Sequence, residues 1–121
     1  MPHANMRMGD DHILRVAFVG DTGERGAQAF IEALGPFLEA TTETEPLYAI
    51  LDATRAGKLS AKARNIFFGL NRDSRVGQVA VIGTRRYLRV LGSFILKATR
   101  RDNIGFFDTE EQAIAWLKVQ Q

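Results

Sequence analysis

Apolar and polar positions alternate over residues 12–19, where Ile13, Leu14, Val16 and Phe18 lead to Gly20, and this period of two predicts a strand. A shorter strand over residues 6–8, turning through Gly9-Asp10, would precede it. Beyond Gly20 the spacing becomes helical: Ala27, Phe30, Ile31, Leu34, Phe37 and Leu38 recur on one face, with Asp21 or Thr22 as the cap. Gly35-Pro36 falls inside that run, where the missing N–H and the ring predict a kink. Residues 47–52 are a short apolar run behind Pro46 and predict a buried strand. A polar loop over residues 53–58 then leads into a helix over about residues 60–70, with Ala63, Ile66, Phe67 and Leu70 on one face.

Residues 78–82, ended by Gly83, predict another strand, and Thr84 would cap a helix reaching about residue 100. Residues 104–107 predict the last strand. Asp108, followed three residues later by Glu111, has the spacing of a capping box, and Ala113, Trp116 and Leu117 share one face of the helix that follows. Strands alternating with helices predict an α/β fold: a single, mostly parallel sheet of four to five strands with about four helices packed on it. A chain of 121 residues suits one domain over residues 1–121, with residues 1–11 a weakly ordered arm or short edge strand.

Composition narrows the chemistry. The chain has no cysteine, which removes disulfides, thiolate nucleophiles and cysteine-ligated metals and is compatible with a reducing compartment. No apolar run approaches the ~20 residues that span a bilayer, and residues 1–11 lack the apolar core of a signal peptide, so a cytoplasmic location is expected. The net charge of +2 conceals strong segregation. Residues 1–54 hold 3 Lys/Arg against 9 Asp/Glu, residues 55–101 hold 12 against 1, and residues 102–121 hold 1 against 4. A basic middle can mark a surface for phosphate, anionic lipid, nucleic acid or an acidic protein, or it can neutralise neighbouring acidic elements within the fold.

Catalytic and cofactor signatures are weak. Gly20, Gly23 and Gly26 follow a strand and precede a helix, yet Gly-Asp-Thr-Gly-Glu-Arg-Gly fits neither the dinucleotide fingerprint nor the P-loop and sets acids where phosphate would lie. Asp21, Asp52 and Asp108 would each follow a strand, as in a magnesium site, but Asp108 is better read as a helix cap. His3 and His12 have no acid at ligand spacing, and Ser60, Ser74 and Ser93 lack a nucleophile-elbow context. No cofactor, metal or catalytic residue is expected.

The segment 85–101 is more informative. At 100° per residue, Tyr87, Leu88, Val90, Leu91, Phe94, Ile95 and Ala98 fall between about 140° and 300° of Arg85, whereas Arg85, Arg86, Arg89, Lys97 and Arg100 fall between about 0° and 120°. This is either a core-facing helix with a solvated basic back or a helix that rests on an anionic surface or an amphiphilic ligand.

The strand ending in Asp52, the strand Val79-Ala80-Val81-Ile82-Gly83 and the ending Phe106-Phe107-Asp108-Thr109-Glu110-Glu111-Gln112-Ala113-Ile114-Ala115-Trp116-Leu117 together resemble the SpoIIAA-like family of STAS-related proteins, over about residues 13–119. The resemblance implies a sheet of four or five strands with packed helices, a fold shared with anti-sigma-factor antagonists and, more remotely, with the CRAL-TRIO lipid-binding fold. Antagonists of that kind carry an Asp-Ser-Ser-Gly-like phosphorylation motif before the second helix. Residues 52–61 here lack it, leaving Ser60 as a helix cap and as the residue to test for any kinase-regulated switch.

Two functions are therefore expected. The first is a non-enzymatic regulatory or scaffold module that recognises an acidic protein partner through Arg55, Lys58, Ser60, Lys62 and Arg64. The alternative is lipid or amphiphile binding at a membrane surface, with Tyr87, Leu91, Phe94 and Ile95 lining an apolar site and Arg85, Arg86 and Arg89 on the basic face. Nucleic-acid binding rests on charge alone, without an aromatic platform or recognition helix, and is not favoured; a homo-oligomer is compatible with the sequence.

Overall fold

The computed structural model describes residues 4–83, 97 and 102–120. Within them the order is β1 (Ala4–Met8), β2 (Ile13–Thr22), α1 (Glu24–Glu39), β3 (Leu47–Leu59), α2 (Ala61–Asn71), β4 (Val76–Ile82), β5 (Ile104–Phe107) and α3 (Glu110–Gln120). The strands form one five-stranded sheet in sequence order. β1 pairs antiparallel with β2, and the three remaining pairings are parallel. The helix expected over residues 84–100 lies outside the described residues, and with it Arg85, Arg86, Tyr87, Arg89, Leu91, Phe94 and Ile95.

Alternation along the strands divides the core in two. Leu14 and Val16 of β2, Leu47 and Ala49 of β3, and Val76 and Val79 of β4 meet Phe30, Leu34 and Leu38 of α1 on one face, with Phe67 and Leu70 of α2 packed beside them. Ile13, Ile50, Ala80 and Ile82 point the other way and meet Ala113 and Leu117 of α3. Phe18, Phe30 and Phe67 form a triangle of rings on the first face, with centroids 5.3, 5.5 and 6.1 Å apart. Two of its sides are near edge-on, an arrangement worth about 0.5–1.5 kcal/mol per pair beyond area burial.

Three local expectations are corrected. Residues 53–58 are not a loop: β3 continues to Leu59, because the ladder with β2 runs on through Val19↔Arg55, Gly20↔Ala56 and Thr22↔Leu59. Likewise β2 does not stop before Gly20. It passes Gly20, whose φ of 78° suits glycine, between two register shifts and reaches Thr22. Neither Asp21 nor Thr22 caps α1; Gly23 does, with no side-chain bond, while Asp21 serves a different strand. α1 then runs as one helix through Gly35-Pro36.

The last helix starts one residue later than its spacing suggests. The Thr109 hydroxyl accepts from Gln112 N at 3.2 Å, and Gln112 Oε1 accepts from Thr109 N at 3.3 Å and Asp108 N at 3.1 Å. This is a reciprocal capping box built from Thr109 and Gln112, not from Asp108 and Glu111. Such a cap contributes about 1 kcal/mol to holding α3. At the opposite end of the sheet, buried Asn103 donates through Nδ2 to Asn71 Oδ1 and to Gly77 O, both at 2.9 Å, tying the end of α2 to β4 and β5.

Candidate functional site

β3 outlasts its neighbour. Its pairing with β4 ends at Asp52↔Ile82, whereas its pairing with β2 continues to Leu59, so residues 53–59 project with β2 as a two-stranded parallel arm. An isolated strand pair is marginal in water, and this one has added ties. Asp21 Oδ1 accepts from Lys58 N at 2.8 Å, and Ser60 N donates to Thr22 O at 3.0 Å. The Asp21 carboxylate lies where a Cβ on residue 57 would stand, which explains the glycine there.

The arm delivers the cations anticipated from sequence to one junction. Arg55 and Lys58 are exposed on β3, and Lys62 and Arg64 are exposed on the first turn of α2. Ser60 between them is the N-cap of α2, its hydroxyl accepting from Ala63 N at 3.0 Å. Lys62 Nζ lies 3.4 Å from Glu24 Oε2, but both side chains are solvated, at 76% and 46% exposure, and such a pair is worth at most about 1 kcal/mol. The first turn of α2 carries no acid, so the positive end of its dipole adds to the same field. Charge, dipole and exposure together give this junction a positive field.

Below the arm, on the face carrying α1 and α2, lies an apolar cavity of about 190 Å3. Thr22 and Asn71 are the only polar side chains among its described lining. β3 makes the room, since Ala49, Ala53, Ala56 and Gly57 present almost no side chain to the space between Phe30, Phe67 and Val81. The site expected to be lined by Tyr87, Leu91, Phe94 and Ile95 lies outside the described residues. The cavity that is described draws on β2, β3, α1, α2, β4 and β5.

The opposite face carries a second groove, of about 350 Å3, edged by Arg7, Arg15, Asp52 and Glu110. Arg15 braces it. Its Nη1 and Nη2 grip both oxygens of Asp11 at 2.8 Å, and its Nε reaches Glu110 Oε1 at 3.2 Å, joining the β1–β2 turn to the start of α3. The Arg15 hydrogen bonds hold the Asp11 carboxyl at a pKa of about 2, below its usual 3.8. The folded-state value is depressed, so the stabilisation is fully present above about pH 4 and is lost as pH falls toward 2. Asp11→Asn is accordingly expected to flatten the fall of Tm between pH 4 and pH 2 relative to wild type. Parallel Tm profiles for the two proteins would show that the brace does not contribute.

The strand-end aspartates do not assemble a metal site. Asp21 and Asp52 lie within strands, Asp21 bonded to Lys58 N and Asp52 Oδ1 accepting from Thr54 N at 3.0 Å and Thr54 Oγ1 at 2.6 Å. Among the described residues no three His, Asp or Glu side chains are grouped to hold a metal ion. Among the described residues, too, no helix is long and apolar enough to cross a membrane.

A five-stranded mixed sheet with α1 and α2 on one face and α3 on the other defines an α/β domain of the SpoIIAA type. The chain belongs to the SpoIIAA-like family, whose profile matches residues 13–118. Its fold is similar to the crystal structure of an uncharacterized DUF3478-family protein with a SpoIIAA-like fold from Shewanella loihica PV-4 (TM-score 0.73, 20% identity, covering 97% of this chain and 95% of that one). It is also similar to the anti-sigma factor antagonist SpoIIAA in its unphosphorylated form (TM-score 0.67, 14% identity, covering 95% and 97%). No curated protein matches it by sequence.

Proposed function

We propose that this protein is a non-enzymatic regulatory binding module that recognises an acidic protein partner through the junction of β3 and α2. One observation carries the reading: Arg55, Lys58, Lys62 and Arg64 are all exposed within ten residues that contain no acid. Ser60 sits among them as a helix cap, so the contact surface is anchored on a strand and a capped helix. Rigid cationic surfaces of this kind raise association rates and select partners by charge. The similarity to an anti-sigma factor antagonist is consistent with a role in protein contact. The test is a pull-down from the native organism's lysate with wild type and K58E/K62E/R64E. Loss of a partner from the variant supports the reading, and an identical set of captured proteins overturns it.

The apolar cavity favours a second reading, amphiphile binding. In that reading the domain carries or senses a small apolar molecule, and a membrane is its source rather than its docking surface.

A further inference from the structure

One hydroxyl in the wall of the apolar cavity is left without a partner by the fold. Every second residue of β2, from Leu14 through Val16, Phe18 and Gly20 to Thr22, lines that cavity, and Thr22 is the polar member of the row. It is 8% exposed between exposed Asp21 and Gly23, so its side chain is turned inward. The Thr22 backbone O accepts from Ser60 N, and the side-chain methyl group faces Gly26 of α1, where an added Cβ would stand 3.2 Å from it. Among the described residues the hydroxyl neither donates nor accepts a hydrogen bond. Asn71, the other polar side chain of the described lining, is engaged, its Oδ1 accepting from Asn103 Nδ2 at 2.9 Å. A buried hydroxyl without a partner loses its bonds to water and gains nothing in exchange, and valine would fill the same place in a strand at lower cost.

We infer that the cavity is a site for a small, neutral, apolar molecule carrying one hydroxyl or carbonyl oxygen, and that this oxygen bonds to Thr22 Oγ1. The inference rests on the second reading above and is independent of any protein partner. Volume sets the size: a cavity of about 190 Å3 is somewhat larger than the ~150 Å3 that accepts a benzene ring, which leaves room for a substituted ring or a short chain. No charged side chain stands in the described lining, so a charge carried inside would be desolvated without compensation, and the ligand is neutral. A threonine hydroxyl both donates and accepts, so it receives a ligand hydroxyl or gives its proton to a carbonyl equally well. Thr22 pairs with Leu59 at the last register position of β2 and β3, which holds the oxygen at the arm and directs the apolar remainder toward the rings of Phe30 and Phe67.

p-Cresol and p-xylene share one shape and differ by a hydroxyl in place of a methyl group, so NMR titrations of the isotope-labelled full chain with each, at neutral pH, isolate the bond to Thr22. Both are expected to bind wild type saturably and to shift the amide signals of Phe30 and Phe67. In Thr22→Val, the ratio of the two dissociation constants is expected to swing about tenfold against p-cresol, the size of one hydrogen bond. Thr22→Ser, which keeps the hydroxyl, should hold the wild-type ratio, and Thr22→Ala replaces Thr22→Val if circular dichroism finds that variant unfolded. p-Toluate, the same ring with a carboxylate, should bind at least about tenfold more weakly than p-cresol. If neither p-cresol nor p-xylene binds wild type, the second reading falls and the inference with it. If both bind and the ratio is unmoved by removing the hydroxyl, or if p-toluate binds as tightly as p-cresol, the inference is overturned while that reading stands. None of these results would bear on a partner captured through Lys58, Lys62 and Arg64.

Discussion

Replacing Phe30 by alanine is expected to lower the free energy of unfolding by about 3–5 kcal/mol, seen as a shift of the urea midpoint. Phe30 is 6% exposed and is shared by α1, the aromatic triangle and the lining of the cavity. Its removal takes away ring contacts to both Phe18 and Phe67 and enlarges a space that is already present. The strands lining that space are fixed by their ladders and cannot shift far to close the gap, which keeps the cost in the usual range for removing a buried ring. A loss below about 1 kcal/mol would mean that the first face of the sheet is packed differently.

Asn103→Asp is expected to cost a similar amount at neutral pH, about 3–5 kcal/mol, for an electrostatic reason. The Asn103 amide is 3% exposed and its Nδ2 satisfies two acceptors, Asn71 Oδ1 and Gly77 O. A carboxylate in its place would turn oxygen toward oxygen in a dry site. Burial and two facing acceptors disfavour the charged form, raising the folded-state pKa above the ordinary carboxylate value of about 3.9. A raised folded pKa means that stability is retained below pH 4 and lost as pH rises, so denaturant unfolding should find the variant closer to wild type at pH 4 than at pH 7. A penalty independent of pH would contradict that account.

Where sequence and structure agree, the cause is local. β5 occupies residues 104–107 as its pattern predicts, and α2 begins within one residue of the position marked by Ser60. β3 beyond Asp52 was illegible because its small and charged residues, Ala53 to Lys58, read as a solvated loop; only the facing strand reveals them as a ladder. The same ladder captured Asp21, which then could not cap α1. Arg15 and Glu110 are 95 residues apart, and no local period connects them. The cavity was equally hidden, since it arises where Ala49, Ala53, Ala56 and Gly57 of one strand oppose rings from two helices. Of the expected site residues, Arg55, Lys58, Ser60, Lys62 and Arg64 fall at one strand–helix junction, whereas those between 85 and 95 lie outside the described residues.

Recognition through a few exposed cations is sensitive to salt and to charge sign. Exposed ion pairs are individually weak, so an affinity of biological use needs several acting together. The measurement that addresses this most directly is the affinity of the captured partner for wild type and for K58E/K62E/R64E, titrated at low and at high ionic strength. The account predicts a wild-type affinity that falls steeply with salt and a variant that binds at least about a hundredfold more weakly at low salt. Equal affinities for the two proteins, insensitive to salt, would place the contact elsewhere on the molecule.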